Sequence, residues 1–233
     1  MASIRFPGET QSYREARDAL LAAEIDLKKQ VEAVAALRRA LPPGGPVPED
    51  YTFDEGGADP ADVTTARAVR LSELFGDKKT LVLYSYMYGP AMSAPCPMCT
   101  SFLDALDGQA HHLGRSVALA VAARSPIQRV RELAHGRGWT RLRLLSSAGS
   151  TYHPDYHGED ASGAQMPMMN VFTRVGSRVH HFWGSEMLYA SDRAKDGIDA
   201  RHIDMLWPLW NVLDLTPEGR GTTWYPALRY EGS

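Results

Sequence analysis

Cysteine is scarce in this chain, with two residues in 233. So few exclude a small fold held by a disulfide framework, and a chain of this length buries enough apolar surface not to need one. Long apolar runs are missing too: none approaches the roughly 18 consecutive residues that span a bilayer. Charge of one sign is also missing, with 25 Lys and Arg against 28 Asp and Glu and a net charge of −3. There is accordingly no basic field for nucleic acid or for an anionic membrane surface. No phosphate-binding glycine loop, nucleophile elbow or dinucleotide fingerprint is present. The first residues, Met1 to Glu9, lack an apolar signal core, from which we expect a cytoplasmic protein in a reducing compartment.

The two cysteines that are present sit together, as Cys96-Pro97-Met98-Cys99. They follow the apolar run Leu81 to Tyr88 and precede the amphipathic stretch Thr100 to Leu106. Two thiols separated by two residues, where a strand gives way to a helix, form the arrangement of a dithiol redox centre. With Pro97 at the first helical position, the Cys96 sulfur faces unpaired backbone N–H groups and the positive end of the helix dipole, which stabilise its thiolate. Cys96 is then the attacking thiol. One turn on, Cys99 lies on the same face within disulfide reach and resolves the mixed disulfide. A static disulfide and a pair of core thiols are the structural alternatives.

Punctuation divides the chain into three regions: an N-terminal helical extension with a connecting arm over 1–66, a central domain over 67–215, and a tail over 216–233. Ser12-Tyr13-Arg14-Glu15 has the form of a capping box. Leu20, Ala23, Leu27, Val31, Val34, Leu37 and Leu41 then recur at spacings of three and four, predicting one long helix that Pro42-Pro43 stops. Its stripe suits packing against its own domain; because the spacing is nearly heptad, a homodimer contact competes. Beyond the acidic and Gly-rich residues 47–66, the pattern becomes strand, helix, strand, helix, strand. The strands are 80–88, 117–122 and 142–145; the helices begin at Cys96 and Ile127. Met168 to Arg174 and Arg178 to Trp183 then read as a hairpin about Val175-Gly176-Ser177, and the stretch around Ile203, Leu206, Trp207, Trp210 and Leu213 as a closing helix. Such a βαβ unit followed by ββα is the thioredoxin scheme, an α/β fold. Within it, Pro167 occupies the place of a cis-proline facing the two cysteines, where the Met166 backbone would be open to an extended substrate. A trans-proline opening a strand is the other reading.

Several segments together resemble one family, DUF899: Leu81 to Pro90, Cys96-Pro97-Met98-Cys99, Ala123-Arg124-Ser125-Pro126, Arg137-Gly138-Trp139, Leu145-Ser146-Ser147 and Leu213 to Arg220. The resemblance covers about residues 10 to 230. It implies a thioredoxin-like fold and a predicted dithiol-disulfide oxidoreductase without an established substrate. Where the family strand is expected to read Tyr-His-Phe-Met-Phe, this chain has Tyr84-Ser85-Tyr86-Met87-Tyr88.

The 150s segment is rich in histidine, and this sustains a second reading. His153 and His157 lie before Pro167, and His180-His181 lies on the following strand. Imidazole with thiolate suits copper or zinc, so Cys96, Cys99, His153, His157 and His181 are candidate ligands. Pro154 and Gly158 predict a loop there, and of His180 and His181 at most one can enter a site, leaving the other solvated. Tyr84, Tyr86 and Tyr88 share one strand face and read as core under a helix, or as the wall of an apolar pocket. The reading carried forward is thiol-disulfide exchange by Cys96, Cys99 and Pro167, with no organic cofactor. Its partners are a protein or small-molecule disulfide or thiol as substrate and an external dithiol reductant. A metalloprotein is the alternative.

Overall fold

The computed structural model describes residues 4–59, 61–189, 206–221 and 223–230. The chain divides into two compact units, residues 1–42 and 43–233. In the first, helix α1 spans Gln11–Arg39. Its N-cap is Thr10, not Ser12: the Thr10 side chain accepts from the Tyr13 N–H, one of the donors a helix leaves open. Arg14 is buried, donating to the Ile4 carbonyl and pairing with Glu9 and Asp18.

In the second unit, the stretch 47–66, read as a connecting arm, contains strand β1 (Thr52–Gly56), which pairs antiparallel with β2 (Ala66–Arg70) just beyond it. A short helix, α2 (Leu71–Leu74), leads into β3 (Thr80–Tyr86). Then follow α3 (Pro97–Leu113), β4 (Ala118–Ala123), α4 (Ile127–Arg137) and β5 (Leu144–Ser146). Helix α4 stops at Gly138, whose φ of +73° is left-handed backbone that glycine adopts without steric cost. Next come α5 (Tyr152–Asp155), the hairpin β6 (Met168–Val175) and β7 (Arg178–Gly184), and α6 (Pro208–Leu213). Ile203, read into the closing helix, lies outside the described residues.

The strands form one seven-stranded sheet in the order β2-β1-β5-β4-β3-β6-β7. Strand β3 is central among the five that carry the thioredoxin-like scheme, parallel to β4 and antiparallel to β6. Alternation along β3 sorts its side chains between two cores. Tyr84 and Tyr86 face α3 and α4, in a cluster with Cys99, Phe102, Leu103, Val130, Trp207 and Trp210. Leu81 and Leu83 face the other way, toward Tyr51, Phe53, Phe75, Tyr152 and Phe172. The tyrosine row is therefore core beneath a helix. After α6, Arg220 pairs with Asp214 and Trp224 meets Trp210 edge-on at 6.0 Å. Among the described residues no helix is long and apolar enough to cross a membrane.

Candidate functional site at the Cys96–Cys99 helix start

The loop from β3 to α3 is stitched to its surroundings by backbone bonds. Cys96 N donates to the Met87 carbonyl at 3.0 Å, and Ser125 N donates to the Tyr88 carbonyl at 2.9 Å. Cys96 is the N-cap of α3, with extended backbone at φ −62° and ψ 122°, and Pro97 follows at the first helical position. A chain of hydroxyls fixes this end of the helix. Tyr86 bonds Thr100 Oγ1 at 2.6 Å, and Thr100 Oγ1 donates to the Cys96 carbonyl at 2.8 Å. From the other side, Trp207 Nε1 donates to the Met98 carbonyl at 3.1 Å, and its ring lies 4.8 Å from that of Phe102.

Both cysteines are free thiols, Cys96 half-buried and Cys99 buried. Their environments push them in opposite directions. The Cys96 thiol is pulled down to about 6, first by the hydrogen bond from the Cys99 thiol and then, against the penalty of burial, by the Cys99 and Met98 N–H groups. Those backbone donors face the sulfur without completing a strict capping bond. Burial raises the Cys99 thiol well above its ordinary range, and the neighbouring Cys96 charge reinforces the shift. The two shifts place the charge on Cys96 and the proton on Cys99, the division that would let one thiol attack and the other wait.

Pro167 immediately precedes Met168, which is paired with Ser85. It therefore stands at the end of β6 nearest the loop that leads to Cys96. Among the described residues no peptide bond is cis, so Met166–Pro167 is trans, the reading in which proline opens a strand. The Met166 N–H is already committed to the Gly158 carbonyl at 2.9 Å and is not open to a substrate.

The histidines are not brought to the cysteines. His153 is fully buried on the opposite face of the sheet, next to Tyr152 of that core, with Nδ1 bonded to Ser147 Oγ at 2.7 Å. It lies in the one-turn helix α5, where a loop was expected. Pro154 is tolerated as the third residue of that turn because no intrahelical donor is required there. His181 shares this face, against Phe172 and Tyr156, with Nε2 bonded to Asn170 at 2.9 Å. His157 is exposed, at a left-handed φ of +57°, and its ring rests on Tyr189. His180, expected to be solvated, is half-buried and bonds the Gly44 carbonyl through Nδ1 at 2.9 Å. Among the described residues no group of three or more His, Cys, Asp or Glu side chains is placed to hold a metal ion.

Two participants were not among the expected site residues. Arg129 donates to the carbonyls of Gly89, Pro90, Met92 and Ser93, clamping the loop before Cys96. Tyr84 packs in the same cluster as Cys99, and its hydroxyl lowers the Cys99 thiol against the effect of burial. Only the position of Tyr84 on the face of β3 that meets α3 hinted at this contact.

A free dithiol at the start of the first crossover helix, beside the central strand, defines a thioredoxin-like protein with a CxxC centre. The chain belongs to DUF899, bacterial proteins of unknown function, which it matches over residues 5–231. No curated protein matches it. Among solved structures it is similar to Plasmodium yoelii thioredoxin peroxidase I, at 16% identity over 80% of this chain and 100% of that one, with a TM-score of 0.44. It is also similar to the peroxidoxin BcpB of Mycobacterium tuberculosis, at 20% identity over 61% and 83% of the two chains, TM-score 0.40. A third is the exposed lipoprotein thioredoxin Etrx1 of Streptococcus pneumoniae, at 16% identity over 56% and 87%, TM-score 0.38.

Proposed function

We propose that the protein is a dithiol-disulfide oxidoreductase. The observation that carries this reading is the placement of the two free thiols: Cys96, half-buried as the N-cap of α3, where the Cys99 thiol and the helix start pull its thiol down, beside Cys99, fully buried, where burial pushes its thiol up. Cys96 thiolate attacks a disulfide, forming a mixed disulfide and expelling one substrate thiolate. Cys99 then attacks the Cys96 sulfur, closing the internal disulfide and releasing the second substrate thiol with the proton Cys99 gave up. Pro167, at the head of β6, shapes the contact with the incoming disulfide. An external dithiol returns the pair to its reduced form. The substrate is a protein or a small-molecule disulfide that reaches the exposed side of Cys96.

The Cys99→Ser variant tests this. An exchange enzyme with that change accumulates a mixed disulfide at Cys96, detectable by intact-mass measurement after mixing with a disulfide. The copper or zinc reading predicts instead a stoichiometric ion in the wild type and its loss in the variant. Failure to trap any adduct, with the fold intact, overturns the exchange reading.

A further inference from the structure

The resolving half of the exchange poses a physical difficulty that the attacking half does not. Cys96 sits where backbone donors welcome its charge, but Cys99 must become a thiolate while fully surrounded by protein, where burial disfavours ionisation. Any donor aimed at the Cys99 sulfur therefore acts on the second step alone. Tyr84 supplies one.

Tyr84 lies within β3, paired with Val121 of β4 on one side and Met169 of β6 on the other, so its backbone is held from both neighbours. Its ring is buried on the α3 side of the sheet and meets Phe102 in an edge-on contact at 5.1 Å. Phe102 is three residues beyond Cys99, one turn along the same face of α3. A tyrosine braced against Phe102 packs in the same cluster as Cys99, and its hydroxyl is one of the groups that hold the Cys99 thiol down against the penalty of burial.

The geometry points to Tyr84 as a positioning residue for the resolving thiol: its hydroxyl donates to the Cys99 sulfur as that sulfur ionises, speeding the second half of the exchange and not the first. The inference rests on the exchange reading above. In the step concerned, Cys99 Sγ bonds to Cys96 Sγ and the Cys96–substrate S–S bond breaks. The electron pair leaves on the substrate sulfur, and the proton lost by Cys99 ends on the released thiol. Tyr84 keeps its own proton throughout.

The test uses 5,5′-dithiobis(2-nitrobenzoate) and the reduced full-length protein in stopped flow. Attack by Cys96 releases one thionitrobenzoate and resolution by Cys99 releases the second, so the two halves appear as two phases. Tyr84→Phe keeps the ring against Phe102 and removes the hydroxyl. We expect its first phase to stay within two-fold of wild type, its second phase to slow about ten-fold at pH 7, and the pH midpoint of that phase to rise by about one unit. An unchanged second phase, or both phases slowed alike, overturns the inference. A wild-type protein without a second phase overturns the exchange reading itself, which separates the two failures. If Tyr84→Phe does not fold, 3-fluorotyrosine at position 84 carries the same test: its more acidic phenol lowers the midpoint of the second phase, and no shift overturns the inference.

Discussion

The Arg129 guanidinium lies 4.4 Å over the centre of the Tyr88 ring while donating to carbonyls of the loop that follows it. One cation on α4 thus holds the last aromatic residue before the cysteine loop and the loop itself. Its charge is spread over a planar fork, which suits several carbonyl acceptors at once; an ammonium would serve fewer. Arg129→Met is expected to lose about 2 kcal/mol of stability, since hydrogen bonds from a charged donor are removed. The loop is expected to become a site of limited proteolysis between residues 89 and 95. Urea unfolding and mass mapping of the first cleavage check this.

Cys96 is expected to react with iodoacetamide with a pH midpoint near 6. Since the Cys99 thiol is the largest cause of that value, Cys99→Ala moves the midpoint upward, toward that of an ordinary thiol. The linkage follows from the direction of the shift. A thiolate held below its unfolded range stabilises the reduced fold above that range, and the contribution is lost as pH falls through about 6. A midpoint unchanged by Cys99→Ala would assign the shift to the helix start alone.

His153 makes the fold sensitive to acid. Burial first, and the charge of Arg124 second, pull its imidazole down to about 3. In the unfolded chain it titrates near 6.5. Between those values only the unfolded chain takes the proton. The stability this residue contributes is therefore complete above pH 6.5 and is lost as pH falls toward 3, by roughly 1.4 kcal/mol per unit. Urea midpoints between pH 7 and 4 are expected to show this slope in the wild type and a flatter one in His153→Phe.

Gly158 has no room for a side chain. A Cβ there would stand 2.6 Å from His153 Cδ2 and 2.7 Å from Ser85 Oγ, both on fully buried residues. Gly158→Ala is expected to cost about 1–3 kcal/mol through overpacking, read as a lower melting temperature. Thiol reactivity at Cys96, on the other face of the sheet, is expected to keep its wild-type midpoint.

The elements that could be read in advance are those whose signal is local. The apolar run at 80–86, the helix opening at Pro97 and the strand at 118–123 stand within a residue or two of where periodicity and punctuation put them. The hairpin turn at Gly176, at φ +62°, was marked by the residues that turns require. Residues 47–66 were opaque because β1, paired along its length with β2, joins the rest of the sheet only through β5, some 90 residues later, at Asp54 and Ser146. The histidines misled for a related reason. His153 and Cys96 are separated by a sheet, and neither composition nor spacing shows which side of it a loop will pack against.

What the sequence by itself determined is the cysteine centre and its polarity. A helix start is built from neighbours in the chain, so Cys96-Pro97-Met98-Cys99 after an apolar strand is enough to expose one sulfur to open backbone donors and tuck the other inside. Tertiary structure alone decided the rest: that Tyr84 meets Cys99, that Arg129 clamps the loop, and that His153 and His181 share the far face. Each depends on strand register and on crossovers that join distant segments. Because side chains alternate along a strand, a shift of one residue in pairing would have sent Tyr84 and His181 to the other side.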